Sequence, residues 1–229
     1  MADVKDHLAL GLDFDDRDRA LGRARALREW FGVAKVGVEL YAAAGPGIIA
    51  DLRELGYSVF LDVKLHDIPN TVRSAARVLA RYGLGYLNFH TSGGAAMLAA
   101  GVEGARLGAA EAGVPVPLLL GVTVLTSDAD ASAFPGRLAL AVDNGCDGVV
   151  CSAHELDAVR SAPRRMITMV PGIRLPGAAT DDQARIATPG SAIADGADVL
   201  VIARTVHNAP DPSAAAQAVY DEVAACLSV

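Results

Sequence analysis

Eight short apolar runs recur along the chain, at 8–13, 33–38, 58–63, 85–90, 117–124, 147–152, 166–170 and 198–203. Each is nearly continuous in Val, Ile and Leu rather than alternating, the pattern of parallel strands covered on both faces. Helical patterns separate and follow them, at 16–30, 46–56, 70–82, 94–112, 135–145, 153–161, 188–195 and 212–227. Asp15 and Asp211 stand at or near helix starts, and Gly56, Gly83, Gly113 and Gly145 follow helices as C-caps do. Eight strand–helix units in 229 residues predict a single-domain (β/α)8 TIM barrel. The competitor is a doubly wound open sheet. Its phosphate-binding glycines are missing from the first turn, which reads LDFDDRD.

A barrel puts its chemistry at the carboxyl ends of the strands, with phosphate commonly held after strands seven and eight. The polar residues at those ends are Asp13, Lys35, Asp62, Lys64, Asp67, His90, Thr126, Ser127, Ser152, His154, Arg174 and Arg204. Composition sharpens that set. Of the 20 basic residues only Lys5, Lys35 and Lys64 are lysines, whereas alanine occurs 44 times, so a coding bias toward Ala and Arg replaces lysine wherever any cation serves. Lysines that survive such a bias mark places where a titratable amine is needed. Lys5 lies in a polar terminal segment; Lys35 and Lys64 lie at adjacent strand ends.

Asp62 and Lys64 are two apart, so both should face the barrel interior, while Leu61 and Val63 face outward. Lys35 is within reach across the strand pair, and Asp67 follows after a short turn. The predicted chain of charges is Lys35, Asp62, Lys64, Asp67. Burying four such groups is a poor route to stability, which favours a site over a structural ion-pair network. An ammonium held between carboxylates has a fixed position and a raised proton affinity, suited to delivering a proton.

The acidic balance, 27 Asp and Glu against 20 Lys and Arg, argues against a nucleic-acid partner. No apolar run approaches the roughly 20 residues of a membrane span, and no signal-peptide pattern opens the chain, so a cytoplasmic protein is expected. Cys146, Cys151 and Cys226 form no CxxC pair and suggest neither a disulfide framework nor a zinc site.

The segment DVKLHDIPNT at 62–71 resembles the signature of the orotidine 5′-monophosphate decarboxylase family. The resemblance continues through LDF at 12–14, KVGVELY at 35–41, LNFHTSGG at 87–94, VTVLTS at 122–127, VPGIR at 170–174, DDQARIATPG at 181–190 and ADVLVIAR at 197–204. It implies a homodimeric barrel without metal or organic cofactor that converts orotidine 5′-monophosphate to UMP, the last step of de novo pyrimidine synthesis. By this resemblance Lys64 protonates C6 of the pyrimidine after carbon dioxide leaves, and Asp62 lies against the departing carboxylate. Asp67 and Thr71 reach into the neighbouring subunit's site. Asp13 and Lys35 bind the ribose hydroxyls, and Thr126 contacts the pyrimidine. Gln183, Arg204 and the backbone at Ala203 hold the phosphate, with Arg174 beside them.

The Pro-, Gly- and Ala-rich stretch around 172–188 is long for a strand–helix connection and is expected to act as a lid over the phosphate. Ala203 departs from the family, which usually has glycine there; its methyl group could crowd the phosphate's approach to the backbone. Outside the expected machinery, His66 is read as structural and pointing away from Asp62 and Lys64. His90 either lines the site floor or serves core hydrogen bonding. His154 and His207 lack partners at metal-ligand spacing. Two other functions stay open: a magnesium-dependent 3-keto-hexulose-phosphate decarboxylase or synthase, and a sugar-phosphate-binding barrel with a dead site. The first shares the Asp-x-Lys-x-x-Asp pattern but holds its metal partly through an acid where this chain has Lys35. Glu39 is the nearest acid and does not match.

Overall fold

The computed structural model describes residues 3–128, 130–175 and 187–228. Eight parallel strands close into a barrel in sequence order: β1 (Leu8–Gly11), β2 (Val33–Gly37), β3 (Ser58–Leu65), β4 (Tyr86–His90), β5 (Leu118–Val122), β6 (Gly148–Val150), β7 (Ile167–Val170) and β8 (Val199–Ile202). Closure comes from β1 pairing with β8, Leu8 opposite Leu200. The open-sheet alternative is thereby excluded. The outer helices are α1 (Arg17–Leu27), α2 (Val38–Ala44), α3 (Gly47–Glu54), α4 (Pro69–Ala80), α5 (Gly94–Ala112), α6 (Phe134–Asp143), α7 (Leu156–Arg160), α8 (Pro189–Ala194), α9 (Arg204–His207) and α10 (Pro212–Leu227). No helix among the described residues is long and apolar enough to cross a membrane.

Two apolar layers explain the continuous strand hydrophobicity. Ala9, Val33, Phe60, Leu120, Met169, Val199 and Val201 fill the barrel interior. The alternate positions, such as Leu10, Ala34, Leu61 and Leu87, pack outward against the helices. Helix ends follow the expected chemistry. Asp211 accepts from the Ser213 and Ala214 amides at the start of α10, and Asp16, one residue past the expected Asp15, accepts from Arg19 at the start of α1. Gly113 closes α5 in the left-handed conformation, φ 64°.

α4 and α5 approach unusually closely. A Cβ added at Gly104 would stand 2.1 Å from the Arg73 carbonyl oxygen, and one at Gly108 only 1.9 Å from that of Arg77. The two glycines let one backbone rest on the other, and this fixes the helix whose first turn follows Asp67 and contains Thr71.

Candidate active site

The site forms where β3 stops behaving as a regular strand. Leu61 pairs with Leu87, but Leu65 pairs with Phe89, so four steps on β3 match two on β4. The surplus is a bulge, and at its tip Lys64 has φ 48°, the one non-glycine residue with positive φ among the described residues. Asp62 and Lys64 do share the barrel mouth as expected, but through this bulge rather than through plain alternation.

The Lys64 Nζ donates to Asp62 Oδ1 at 2.6 Å, and Lys35 Nζ lies 3.7 Å from Asp62 Oδ2. Lys35 also donates to Asp13 Oδ1 at 2.8 Å. The charges therefore run Asp13, Lys35, Asp62, Lys64. Burial pushes the Asp62 carboxyl upward, but the neighbouring ammonium groups of Lys35 and Lys64, with hydrogen bonds from Lys64 and Asn88, hold it below the usual carboxylate range. Asp62 is thus ionised and ready to act on a neighbouring charge.

These groups line one cavity together with Thr126, Arg174, Ala203 and Arg204. Arg174 and Arg204 follow β7 and β8, which lie across the closed barrel from β3 and β4. Phe60, Val122, Val124, Val150 and Val201 give the cavity apolar walls. One end is therefore an ammonium–carboxylate cluster and the opposite end carries guanidinium groups, with a surface between them that suits a flat ring.

Asp67 and Thr71 do not join this cavity. The chain leaves the strand at Leu65, Asp67 accepts from the Ile68 amide at 2.6 Å, and both residues are exposed beside Ile68, itself 67% exposed. Gln183 and most of the expected lid lie outside the described residues. Ala203 directs its methyl group toward β1: a Cβ added at Gly11 would stand 2.9 Å from it.

His66, His90 and His207 all stand outside the cavity lining. His66 stacks on His90 with ring centroids 5.5 Å apart and 20° between planes. His90 Nδ1 meets the Ser92 hydroxyl at 2.7 Å. His207 places Nε2 2.6 Å from the Gly11 carbonyl, so that nitrogen carries the proton. Its Nδ1 is buried without a partner among the described residues. Burial, reinforced by nearby cations, holds both His90 and His207 below the ordinary imidazole range. The unfolded chain therefore binds protons that the fold refuses, so stability is complete above the unfolded value near 6.5 and falls as pH drops below it. Denaturant titrations at pH 7.5 and 5.5 should show that loss, up to about 1.4 kcal/mol per pH unit for each histidine. His207→Gln, which keeps a donor for Gly11, should flatten the slope.

Asn88 escaped the sequence reading. It is fully buried within β4, and its amide touches both Asp62 and Lys64. The available signal was a polar residue inside an apolar strand, two positions before His90 and so on the same face.

Fold and site together define a (β/α)8 barrel whose mouth holds alternating carboxylates and ammonium groups opposite a pair of arginines. The chain belongs to the family described as Orotidine 5′-phosphate decarboxylase / HUMPS, which matches residues 6–219. It is 47% identical to an orotidine 5′-phosphate decarboxylase of Anaeromyxobacter sp. (strain K), over 93% of this chain and 96% of that one. Identity is 44% to the enzyme so named from Nitratidesulfovibrio vulgaris (strain DP4), over 95% and 97%. The crystal structure of orotidine 5′-phosphate decarboxylase from Lactobacillus acidophilus superposes with a TM-score of 0.80 at 33% identity, covering 94% of this chain and 98% of that one.

Proposed function

We propose that this chain decarboxylates orotidine 5′-monophosphate to UMP, using its own side chains and no metal. The observation that carries the reading is the ammonium of Lys64, held 2.6 Å from Asp62 in a cavity that arginines line as well. The family as a whole includes more than one chemistry; the relatives near half identity share the decarboxylase name, which supports this one.

The reaction breaks the bond between C6 and the carboxylate carbon. Carbon dioxide departs, the electron pair stays on C6, and Lys64 Nζ–H supplies the proton that makes UMP; solvent then reprotonates the amine. Asp62, ionised and half-buried, stands against the substrate carboxylate and raises the energy of the bound ground state, while Lys64 stabilises the carbanion as it forms. Asp13 and Lys35 bind the ribose hydroxyls and Thr126 the pyrimidine. Arg204, Arg174, the Ala203 backbone and Gln183 hold the phosphate, and the segment around 172–188 closes over it. Phosphate binding far from C6 then helps to seat the carboxylate against Asp62.

A homodimer completes the site, with Asp67 and Thr71 contributed by the second subunit. Their exposure beside Ile68, outside the cavity of their own chain, supports that role. The magnesium-dependent alternative is disfavoured by Lys35. Its ammonium sits between the Asp13 and Asp62 carboxylates, the space a divalent ion would need, and would repel one. Glu39 is no substitute, because the strand ends at Gly37 and Glu39 lies exposed on α2.

Loss of orotidine 5′-monophosphate absorbance should proceed at full rate in excess chelator. A magnesium requirement would transfer the assignment to the hexulose-phosphate chemistry. Tight UMP binding without turnover would mean a dead-site binding barrel.

A further inference from the structure

The bulge that presents Lys64 poses a problem that the charged groups do not solve. Its surplus residues leave the ladder between β3 and β4, so the Lys64 amide loses the strand partner a regular pairing would supply. Lysine also has no intrinsic preference for φ 48°, and something must hold it there. Asn88 sits opposite. It is fully buried on the inward face of β4, with its Oδ1 accepting from the Lys64 backbone amide at 2.7 Å. Its Nδ2 donates to Asp62 Oδ1 at 2.6 Å.

The two partners fix the amide's orientation. A backbone N–H must face an acceptor and a carboxylate must face a donor, so a flipped Asn88 would lose both bonds. Asp62 Oδ1 thus receives Lys64 Nζ and Asn88 Nδ2 together, while Oδ2 is turned toward Lys35. One side chain ties the main chain of the proton donor to the carboxylate of its partner.

We propose that Asn88 is a positioning residue for the reaction, clamping Lys64 in its left-handed conformation and setting the rotamer of Asp62, so that ammonium and carboxylate face the same point of the cavity. It touches neither substrate nor reacting atoms. The role rests on the decarboxylase reading of the site. Small displacements of a reacting group cost rate far more than they cost binding.

The test compares Asn88→Asp and Asn88→Ala with wild type by orotidine 5′-monophosphate turnover from pH 6 to 9, UMP calorimetry and thermal melting. Asn88→Asp is nearly isosteric. It keeps the acceptor for Lys64 but turns a carboxylate on Asp62, so kcat should fall about 100-fold at pH 7.5 while UMP affinity moves less than about threefold. Lowering the pH should restore kcat in this variant alone, because a protonated carboxyl can again donate to Asp62. Asn88→Ala should lose at least as much kcat at every pH, without that recovery. Turnover within threefold of wild type, a loss confined to UMP affinity, or equal pH-independent losses in both variants that track melting temperature would overturn the clamp.

Crystal structures of the variants provide a readout without catalysis. Lys64 should keep its positive φ in Asn88→Asp and lose it in Asn88→Ala; retention in both overturns the proposal. Wild-type protein inert toward the substrate would sink the decarboxylase reading, and the structures would still decide the clamp.

Discussion

Lys64→Ala is expected to lower decarboxylation on the order of 10⁴-fold while leaving UMP binding nearly intact. Among the described residues the other donor to Asp62 Oδ1 is the neutral Asn88 amide, which cannot deliver a proton to C6 in its place. Lys64→Arg separates proton transfer from charge. Guanidinium keeps a positive group near Asp62 but does not release its proton, so this variant should stay within about tenfold of the alanine variant. Recovery to near wild-type rate with arginine would show that Lys64 works through charge alone. The same variant tests the subunit arrangement. Mixed in equal amounts and reassembled with Asp67→Ala, it should form mixed dimers in which, on the proposed subunit arrangement, one of two sites has both groups intact. About a quarter of wild-type activity should return, since random pairing makes half the dimers mixed. No recovery would place Asp67 in its own chain's site or outside catalysis.

Gly108→Ala is expected to be the most destabilising small change on the barrel's outer layer. The added carbon would lie 1.9 Å from the Arg77 carbonyl oxygen, and neither atom belongs to a flexible side chain, so α4 and α5 must move apart. Overpacking of this kind costs about 1–3 kcal/mol, or roughly 2–12 °C in Tm for a chain of this size. Flanking the contact are exposed ion pairs: Arg73 with Glu103 at 2.7 Å, Arg81 with Glu111 at 2.6 Å, and Arg77 with Glu111. Solvent screens such pairs, so Glu111→Ala should shift the melt far less than Gly108→Ala. A larger shift for the charge variant would mean that ion pairing rather than backbone contact holds the two helices.

The barrel was legible because parallel strands buried on both faces must be apolar at nearly every position, and all eight runs coincide with strands. Two helices were not foreseen. α2 and α9 span seven and four residues, too few for a helical period to emerge beside a strand end. The bulge in β3 was also hidden, since two surplus residues are visible only once β4 provides the register. Lys35, Asp62 and Lys64 stood out through the scarcity of lysine, whereas Asp13 and Thr126 gained roles only through the family resemblance. Asn88 needed the third dimension: its importance lies in joining two residues on another strand, and no spacing along the chain records that.

The seam between β1 and β8 carries a different kind of information. Gly11 and Ala203 face each other with room for one methyl group and not two. A methyl group on residue 203 therefore closes position 11 to a second one. The two strands are sterically coupled at the barrel mouth, so Gly11→Ala should be tolerated only together with Ala203→Gly.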